Sequence, residues 1–212
     1  MAHLIINPNS TRSMTEAMLA VAQATAPGAG FQGWTSTEAP PAIQGREDGE
    51  AATAPLLALV DRANAEGMQG IVIGCFDDTA LEQAVARSAV PVLGICQAAC
   101  HVAALRGWRF SVVTTLAVSV PILEENIARY GFAPLLGRVR ASDVPVLALE
   151  DDPDAAGARI AAELDRARAE DGIDAVILGC AGMAKLTADL RRRFALPILD
   201  GVESAARLLP AL

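Results

Sequence analysis

Short apolar runs alternate with longer amphipathic stretches along this chain, and Gly, Pro, Asn, Asp, Ser or Thr marks nearly every boundary. Leu4-Ile5-Ile6 reads as a buried strand that runs into Asn7-Pro8-Asn9-Ser10-Thr11, a loop of turn formers and helix caps. A helix is predicted from about Ser13 to Ala24, ended by Pro27-Gly28-Ala29-Gly30, with a second strand from Phe31 to Thr37. Ala39-Pro40-Pro41-Ala42-Ile43-Gln44-Gly45 is too rich in proline for a helix or a central strand, and its Ile43 is placed to reach over a cleft. A helix from about Gly49 to Ala65 leads into Ile71-Val72-Ile73. Asp77-Asp78-Thr79 can cap the next helix, which ends near Arg87, and Val90 to Ile95 is the following strand.

The second half repeats this order. Phe110 to Thr115 matches the opening strand and its polar loop, and a helix runs from Pro121 to about Tyr130. Val144 to Leu149 is the expected next strand, Ala155 to Glu170 a helix, Ala175 to Leu178 a strand, Lys185 to Arg193 a helix, and Leu196 to Asp200 the last strand. Strands and helices alternating at this spacing argue for parallel sheets joined by right-handed crossovers. Glu203 to Leu212 has no counterpart in this scheme and reads as a closing helix packed back on the first half. The expected fold is α/β, with two pseudo-symmetric lobes, each a parallel sheet flanked by helices, and an active site in the cleft between them. Residues 1–97 with 203–212 would form the first lobe, and 98–202 the second.

The repeat is sharpest at two phrases. Glu66-Gly67-Met68-Gln69-Gly70-Ile71-Val72-Ile73-Gly74-Cys75 and Asp171-Gly172-Ile173-Asp174-Ala175-Val176-Ile177-Leu178-Gly179-Cys180 share an acidic residue, a glycine, an apolar run and a closing Gly-Cys. Their offset is about half of the 212-residue chain, so the repeat describes the whole molecule. Ligands of open parallel sheets bind beyond the carboxyl ends of the strands. A thiol at that position in each lobe suits removal of a proton from one face of a carbon and delivery to the other. A buried cysteine is often only a small apolar side chain, but a matched pair at two equivalent strand ends is poorly explained by packing.

Composition narrows the partners. Hydrophobic residues make up 52% of the chain and aromatics 4%, so the core is built from Ala, Val, Leu and Ile, as in sheets covered on both faces. The net charge of −8 and the lack of a long Lys/Arg run argue against nucleic acid or a membrane as main partner. Arg191-Arg192-Arg193 reads as the solvated end of a helix. The opening residues lack the charged and long apolar regions of a signal peptide, and no stretch reaches transmembrane length. A cytoplasmic homo-oligomer with its four cysteines reduced is the expectation.

Cys75 is followed by Phe76-Asp77-Asp78-Thr79 and Cys180 by Ala181-Gly182-Met183, each just ahead of an expected helix. Backbone N–H groups and the helix dipole would lower the thiol pKa toward neutrality, and the same N–H groups could receive charge developing on a substrate carbonyl. Gly74, Gly179 and Gly182 would permit close approach. Asn7, Asn9, Ser10 and Thr11 in one half and Thr114 and Thr115 in the other lie at equivalent strand ends, where they could serve as caps or as ligand contacts. None of these loops carries Arg or Lys, which favours a neutral or weakly acidic substrate over a free amino acid. Cys96-Gln97-Ala98-Ala99-Cys100-His101 puts three ligand types on one helix with no matching set, so packing is the better reading than metal. The lone Lys185 has nothing around it to support pyridoxal phosphate, and no phosphate-binding or hydrolase motif occurs. A Cys-His hydrolase would lack its base near either Gly-Cys. What remains is acid/base chemistry with no cofactor and no metal.

Asn7-Pro8-Asn9-Ser10-Thr11, Gly74-Cys75-Phe76-Asp77-Asp78, Phe110-Ser111-Val112-Val113-Thr114-Thr115 and Gly179-Cys180-Ala181-Gly182-Met183 together resemble the hydantoin racemase branch of the aspartate/glutamate racemase superfamily. The resemblance takes in Leu147-Ala148-Leu149-Glu150 and Asp200-Gly201-Val202 as well. It implies two pseudo-symmetric lobes, no cofactor, and one catalytic cysteine from each lobe, Cys75 and Cys180. It further implies a cyclic ureide as the small-molecule substrate, either a 5-substituted hydantoin or allantoin. Asn9, Ser10, Ile43, Gly74, Phe76, Asp77, Thr114, Thr115, Gly179, Ala181, Gly182 and Met183 are the expected substrate contacts. The aspartate and glutamate branch usually carries Asn-Thr after the first cysteine, where this chain has Phe76-Asp77. Both cysteines are present, which favours racemisation over the decarboxylases that keep one. A decarboxylase or a maleate-isomerase-like enzyme is the enzymatic rival, and a non-catalytic small-molecule binding protein on the same two lobes is the other.

Overall fold

A computed structural model describes residues 2–212. The first sheet is built from β1 (His3–Asn7), β2 (Phe31–Thr35), β3 (Gly70–Ile73) and β4 (Val92–Gly94) in the order β2-β1-β3-β4. The second is built from β5 (Phe110–Thr114), β6 (Leu136–Ala141), β7 (Ala175–Gly179) and β8 (Ile198–Asp200) in the equivalent order β6-β5-β7-β8. Every pairing is parallel. The two central strands of each sheet are buried apolar runs, as a sheet covered on both faces requires.

Helices α1 (Arg12–Thr25), α2 (Arg46–Ala65) and α3 (Leu81–Arg87) serve the first lobe. Those of the second are α5 (Val120–Arg129), the short α6 (Ala148–Asp151), α7 (Pro153–Glu170) and α8 (Thr187–Arg193). In each half the fourth strand passes directly into a helix, β4 into α4 (Ile95–Leu105) and β8 into α9 (Gly201–Leu208). The closing helix therefore does have a counterpart. The two pack against each other, with α9 also lying on α1 of the first lobe and α4 on β7 and β8 of the second. No helix among the described residues is long and apolar enough to cross a membrane.

Two sequence expectations are corrected. Val144 to Leu149 is not a strand; the sheet takes Leu136–Ala141 instead, and the Val144 segment turns into α6. Strand β6 carries Arg138 and Arg140 and so reads as polar. Arg140 can nevertheless lie buried, because Asp171, Glu163 and Glu170 all pair with it. Nor do Asp77, Asp78 and Thr79 cap α3, which starts after Asp78 and Ala80 in left-handed conformation (φ 49° and 52°) with no side-chain cap. The Asp78 carboxylate turns to the start of α4, accepting from the N–H groups of Cys96 (3.0 Å) and Gln97 (2.8 Å). A side chain on Gly94 would occupy the carboxylate's place, its Cβ falling 2.2 Å from the Asp78 carboxyl carbon.

The turn after β3 also ties the lobes together. Tyr130, just past α5, donates its hydroxyl to Asp78 at 2.8 Å, and Asn126 donates to the Asp77 carbonyl at 2.6 Å. Arg46 pairs with Glu125 on the surface nearby.

Burial pushes the Asp78 carboxyl up to about 7, against the pull of Tyr130 and the two backbone donors toward the charged form. Because the folded value lies above the unfolded one, this group favours folding fully below about pH 4 and that contribution is lost as the pH rises through about 7. Tyr130→Phe removes a donor to the carboxylate. It should cost about 1.5–3 kcal/mol at pH 8, where Asp78 is charged, and clearly less at pH 5. Urea unfolding at the two pH values checks this, and an equal loss at both would refute it.

Candidate active site

The carboxyl ends of β3 and β7 bring the two Gly-Cys pairs to one small cavity. Its volume is about 40 Å³, and it is lined by Gly74, Cys75, Phe76 and Asp77 from one lobe and by Gly179, Cys180, Ala181 and Gly182 from the other. Asn9 and Ile43 enter from the first lobe, Thr114 and Thr115 from the end of β5. Two expected contacts are not in the lining. Ser10 is turned into the loop structure, its N–H bonded to the Pro40 carbonyl, and the Met183 side chain is fully buried in the second core. Four lining residues escaped sequence reasoning: Met14, Ser119, Leu123 and Val146. Met14 and Leu123 look like ordinary core positions of their helices, and Val146 belonged to the misread strand. Ser119 closes the 3₁₀ turn Ala117–Ser119, and no sequence signal marked it.

Glycine is required where the strands end. A Cβ on Gly74 would meet the Met18 sulfur at 2.6 Å, and one on Gly179 would meet Val112 Cγ1 at 2.7 Å and the Thr114 backbone at 3.0 Å. Each strand can therefore close on its neighbours only without a side chain at this point.

The two thiols share a position but not an environment. Cys75 packs with Ala39, Ile43 and Ala52, and Cys180 with Met14, Ala42 and Val146. Each is partly open to the cavity and enclosed by protein elsewhere. Burial raises Cys75 well above the usual thiol range, and the neighbouring Asp77 carboxylate adds to this both as a charge and as a hydrogen-bond acceptor. Burial likewise pushes Cys180 up to about 11, opposed by hydrogen bonds from the backbone N–H groups of Gly182 and Met183. The expectation of a thiol near neutrality is thus corrected: at both cysteines the loss of hydration on burial outweighs the N–H groups. Cys75 is followed by a turn and not directly by a helix; the Asp77 N–H and the Thr79 side chain lower its pKa only against the larger effect of burial.

Asp77 is the one charged side chain lining the cavity among the described residues. Burial raises its carboxyl pKa, while hydrogen bonds from Cys75 and Thr79 hold it down. Thr79 donates its hydroxyl to Asp77 at 2.6 Å. Beyond Asp77 lies a larger cleft of about 320 Å³ between α2, α3 and α5, bordered by Arg46, Thr53, Asn126 and Arg129. It holds no thiol and is not the place for the chemistry.

Polar groups of the cavity are held by their own networks. Asn7 is fully buried, its amide donating to Asn9 Oδ1, the Thr11 carbonyl and Thr15. Asn9 Oδ1 also accepts from the Thr11 N–H, which orients the amide and leaves Asn9 Nδ2 with only a 3.5 Å contact to the Met14 sulfur. Thr114 gives its hydroxyl hydrogen to the Gly179 carbonyl at 2.9 Å, linking the two central strands of the second sheet. Cys96 and Cys100 are buried in the core, and His101 stacks edge-on against Phe132. Among the described residues no group of three or more acidic, His or Cys side chains is arranged to hold a metal.

The segment that carries Ile43 to the cavity is tied to the second lobe. The Val146 N–H donates across the cleft to Gln44 Oε1 at 2.9 Å. Gln44→Ala should speed hydrogen exchange at the Val146 amide by about tenfold, the equivalent of one such bond. An unchanged exchange rate would show that this bond does not tie the segment to the second lobe.

Comparison with known proteins agrees with this geometry. A family model described as Asp/Glu/Hydantoin racemase matches residues 4–209. A hydantoin racemase of Rhizobium meliloti is 42% identical over 212 residues, covering 98% of this chain and 87% of the relative. The solved allantoin racemase of Klebsiella pneumoniae superposes with a TM-score of 0.93 at 36% identity, covering 100% of this chain and 87% of that one. That of Pseudomonas fluorescens gives 0.95 at 32% identity, covering 100% and 90%. With the family model spanning nearly the whole chain and full-length relatives alike in sequence and fold, the chain belongs to the Asp/Glu/hydantoin racemase family and is a racemase.

Proposed function

We propose that this enzyme interconverts the enantiomers of 5-substituted hydantoins by a 1,1-proton transfer between Cys75 and Cys180, without a cofactor. The observation that carries this reading is the meeting of one thiol from each lobe in a single cavity whose only charged lining side chain, among the described residues, is a carboxylate. One thiolate removes the proton at ring C5 and the other thiol returns a proton to the opposite face. The C–H lies beside a carbonyl, so the intermediate is enolate-like. Asn9 Nδ2, with only its weak sulfur contact, is the donor best placed to receive charge on that oxygen, with the Thr115 and Ser119 hydroxyls nearby. Acid and base groups of this kind contribute ~10² to 10⁴ each, and holding the ring between them supplies more.

Thiol pKa values raised by burial fit a ligand-dependent base. The weakly acidic C–H and the N–H groups of a bound ring replace the missing hydration, so the thiolate need form only when substrate is present. A free amino acid is disfavoured because its carboxylate would enter a cavity that offers Asp77 and no Arg, Lys or His. Allantoin is the second reading, favoured by the close superposition with two allantoin racemases. The apolar lining residues Met14, Ile43, Phe76, Leu123 and Val146 suit an alkyl or aryl substituent better than a ureido group.

Polarimetry on enantiopure 5-alkyl and 5-aryl hydantoins, allantoin and aspartate tests the proposal. The hydantoins should lose rotation at unchanged mass, also in the presence of a chelator, and aspartate should not react. Loss of carbon dioxide, comparable turnover of aspartate, or inactivation by chelation that metal reverses would each contradict it.

A further inference from the structure

The end of β1 and the loop after it carry two side-chain amides, and the bonds around them leave one orientation for each. Asn7, the last residue of β1, is fully buried. Its Oδ1 accepts from the Asn9 N–H at 3.1 Å, while its Nδ2 faces the Thr11 carbonyl at 3.0 Å, a group that can only accept. Turned over, this amide would set oxygen against oxygen and N–H against N–H. The same Nδ2 donates to Asn9 Oδ1 at 2.9 Å and to the Thr15 hydroxyl at 3.0 Å, and Thr15 is bonded in turn to the Thr35 hydroxyl at the end of β2, 2.7 Å away. Asn9 Oδ1 takes a second bond from the Thr11 N–H at 2.9 Å. Two donors thus converge on that oxygen, so the Asn9 amide nitrogen must point the other way. There it meets the Met14 sulfur at 3.5 Å, a weak acceptor, and both residues line the cavity. Asn9 therefore keeps donor capacity for a ligand, and the residue that fixes which end it presents is Asn7.

We propose that Asn7 is a positioning residue of the reaction, which acts through Asn9 by holding the amide nitrogen, and not the oxygen, toward the carbonyl on which enolate charge develops. This rests on the reading above in which Asn9 Nδ2 receives that charge, and deepens it. A donor already aimed at the developing charge needs no reorganisation during the reaction. Only a side chain with both a donor and an acceptor can meet the Thr11 carbonyl and the Asn9 N–H at once. Asn7→Asp would place an acceptor where the nitrogen now lies, against the Thr11 carbonyl and Asn9 Oδ1. Asn9 then gains most by turning its own NH₂ toward the carboxylate, since a bond to a charged acceptor outweighs the neutral one from the Thr11 N–H. Its oxygen would face the enolate and repel it.

The test is a double-mutant cycle on kcat and KM for one enantiopure hydantoin, with wild type, Asn9→Ala, Asn7→Asp and the double variant. Asn9→Ala should lower kcat by about 10²- to 10³-fold with little change in KM, as loss of a donor to a developing oxyanion does, and Asn7→Asp should lower kcat to a similar extent. In the Asn9→Ala background Asn7→Asp should cost less than about threefold more, because the amide it acts through is gone. A substitution that only loosened the fold would cost the same in both backgrounds. Asn7→Ala, which removes the hold without reversing it, should give a smaller loss of kcat with the same lack of additivity, and it serves if the carboxylate variant does not fold. Side-chain amide hydrogen exchange, read by NMR on the wild-type protein without ligand, should be far slower for the Asn7 NH₂ than for the Asn9 NH₂. Near-wild-type kcat in Asn7→Asp or Asn9→Ala, a loss confined to KM, additive losses, or an Asn9 amide as protected as that of Asn7 would each overturn the proposal. Wild-type protein that turned over neither a hydantoin nor allantoin would remove the reading of the activity instead, and the exchange comparison would still decide how Asn9 is held.

Discussion

A buried carboxylate holds the architecture of the site. Asp78 lies at the point where β3, α4 and the second lobe meet, and its two oxygens receive the first N–H groups of α4 and the Tyr130 hydroxyl. Those partners satisfy an otherwise costly charge, and the chain after Cys75 passes through two left-handed residues, Asp78 and Ala80. The turn so formed presents Phe76 and Asp77 to the cavity and gives α5 a place to dock through Asn126. The same few bonds thus shape the turn at the cavity and join it to the second lobe.

Around that anchor the two halves keep one plan and differ in detail. The same strand order delivers a Gly-Cys to each side, but a turn follows the first and a 3₁₀ helix the second. An acid/base pair working on opposite faces of one carbon needs two groups at matched positions, and the duplicated fold supplies them. Burial raises the pKa of both thiols, and each stays partly open to the cavity.

Much of this was legible in the sequence, and for identifiable reasons. Buried parallel strands leave apolar runs such as Ile71-Val72-Ile73 and Val176-Ile177-Leu178, and the need for close approach leaves a glycine before each cysteine. Strand β6 was missed because Arg140 is a charged residue facing inward, made tolerable by acids that come from α7 and the turn beyond it. The role of Asp78 was missed because its partners Cys96, Gln97 and Tyr130 are distant in the chain, whereas helix α3 is adjacent. Met14, Leu123 and Val146 became visible as cavity walls only once the lobes were assembled.

The central claim is that each thiol serves one face of the substrate carbon. It is tested most directly by proton exchange in deuterated water with Cys75→Ser and Cys180→Ser, following C5 of each enantiomer of one hydantoin by NMR and polarimetry together. A hydroxyl cannot replace a thiolate as base, so each variant should lose inversion yet exchange the C5 proton of one enantiomer, and the two variants should choose opposite enantiomers. A single variant that still racemises near the wild-type rate, or two variants that exchange the same enantiomer, would contradict the paired-thiol account.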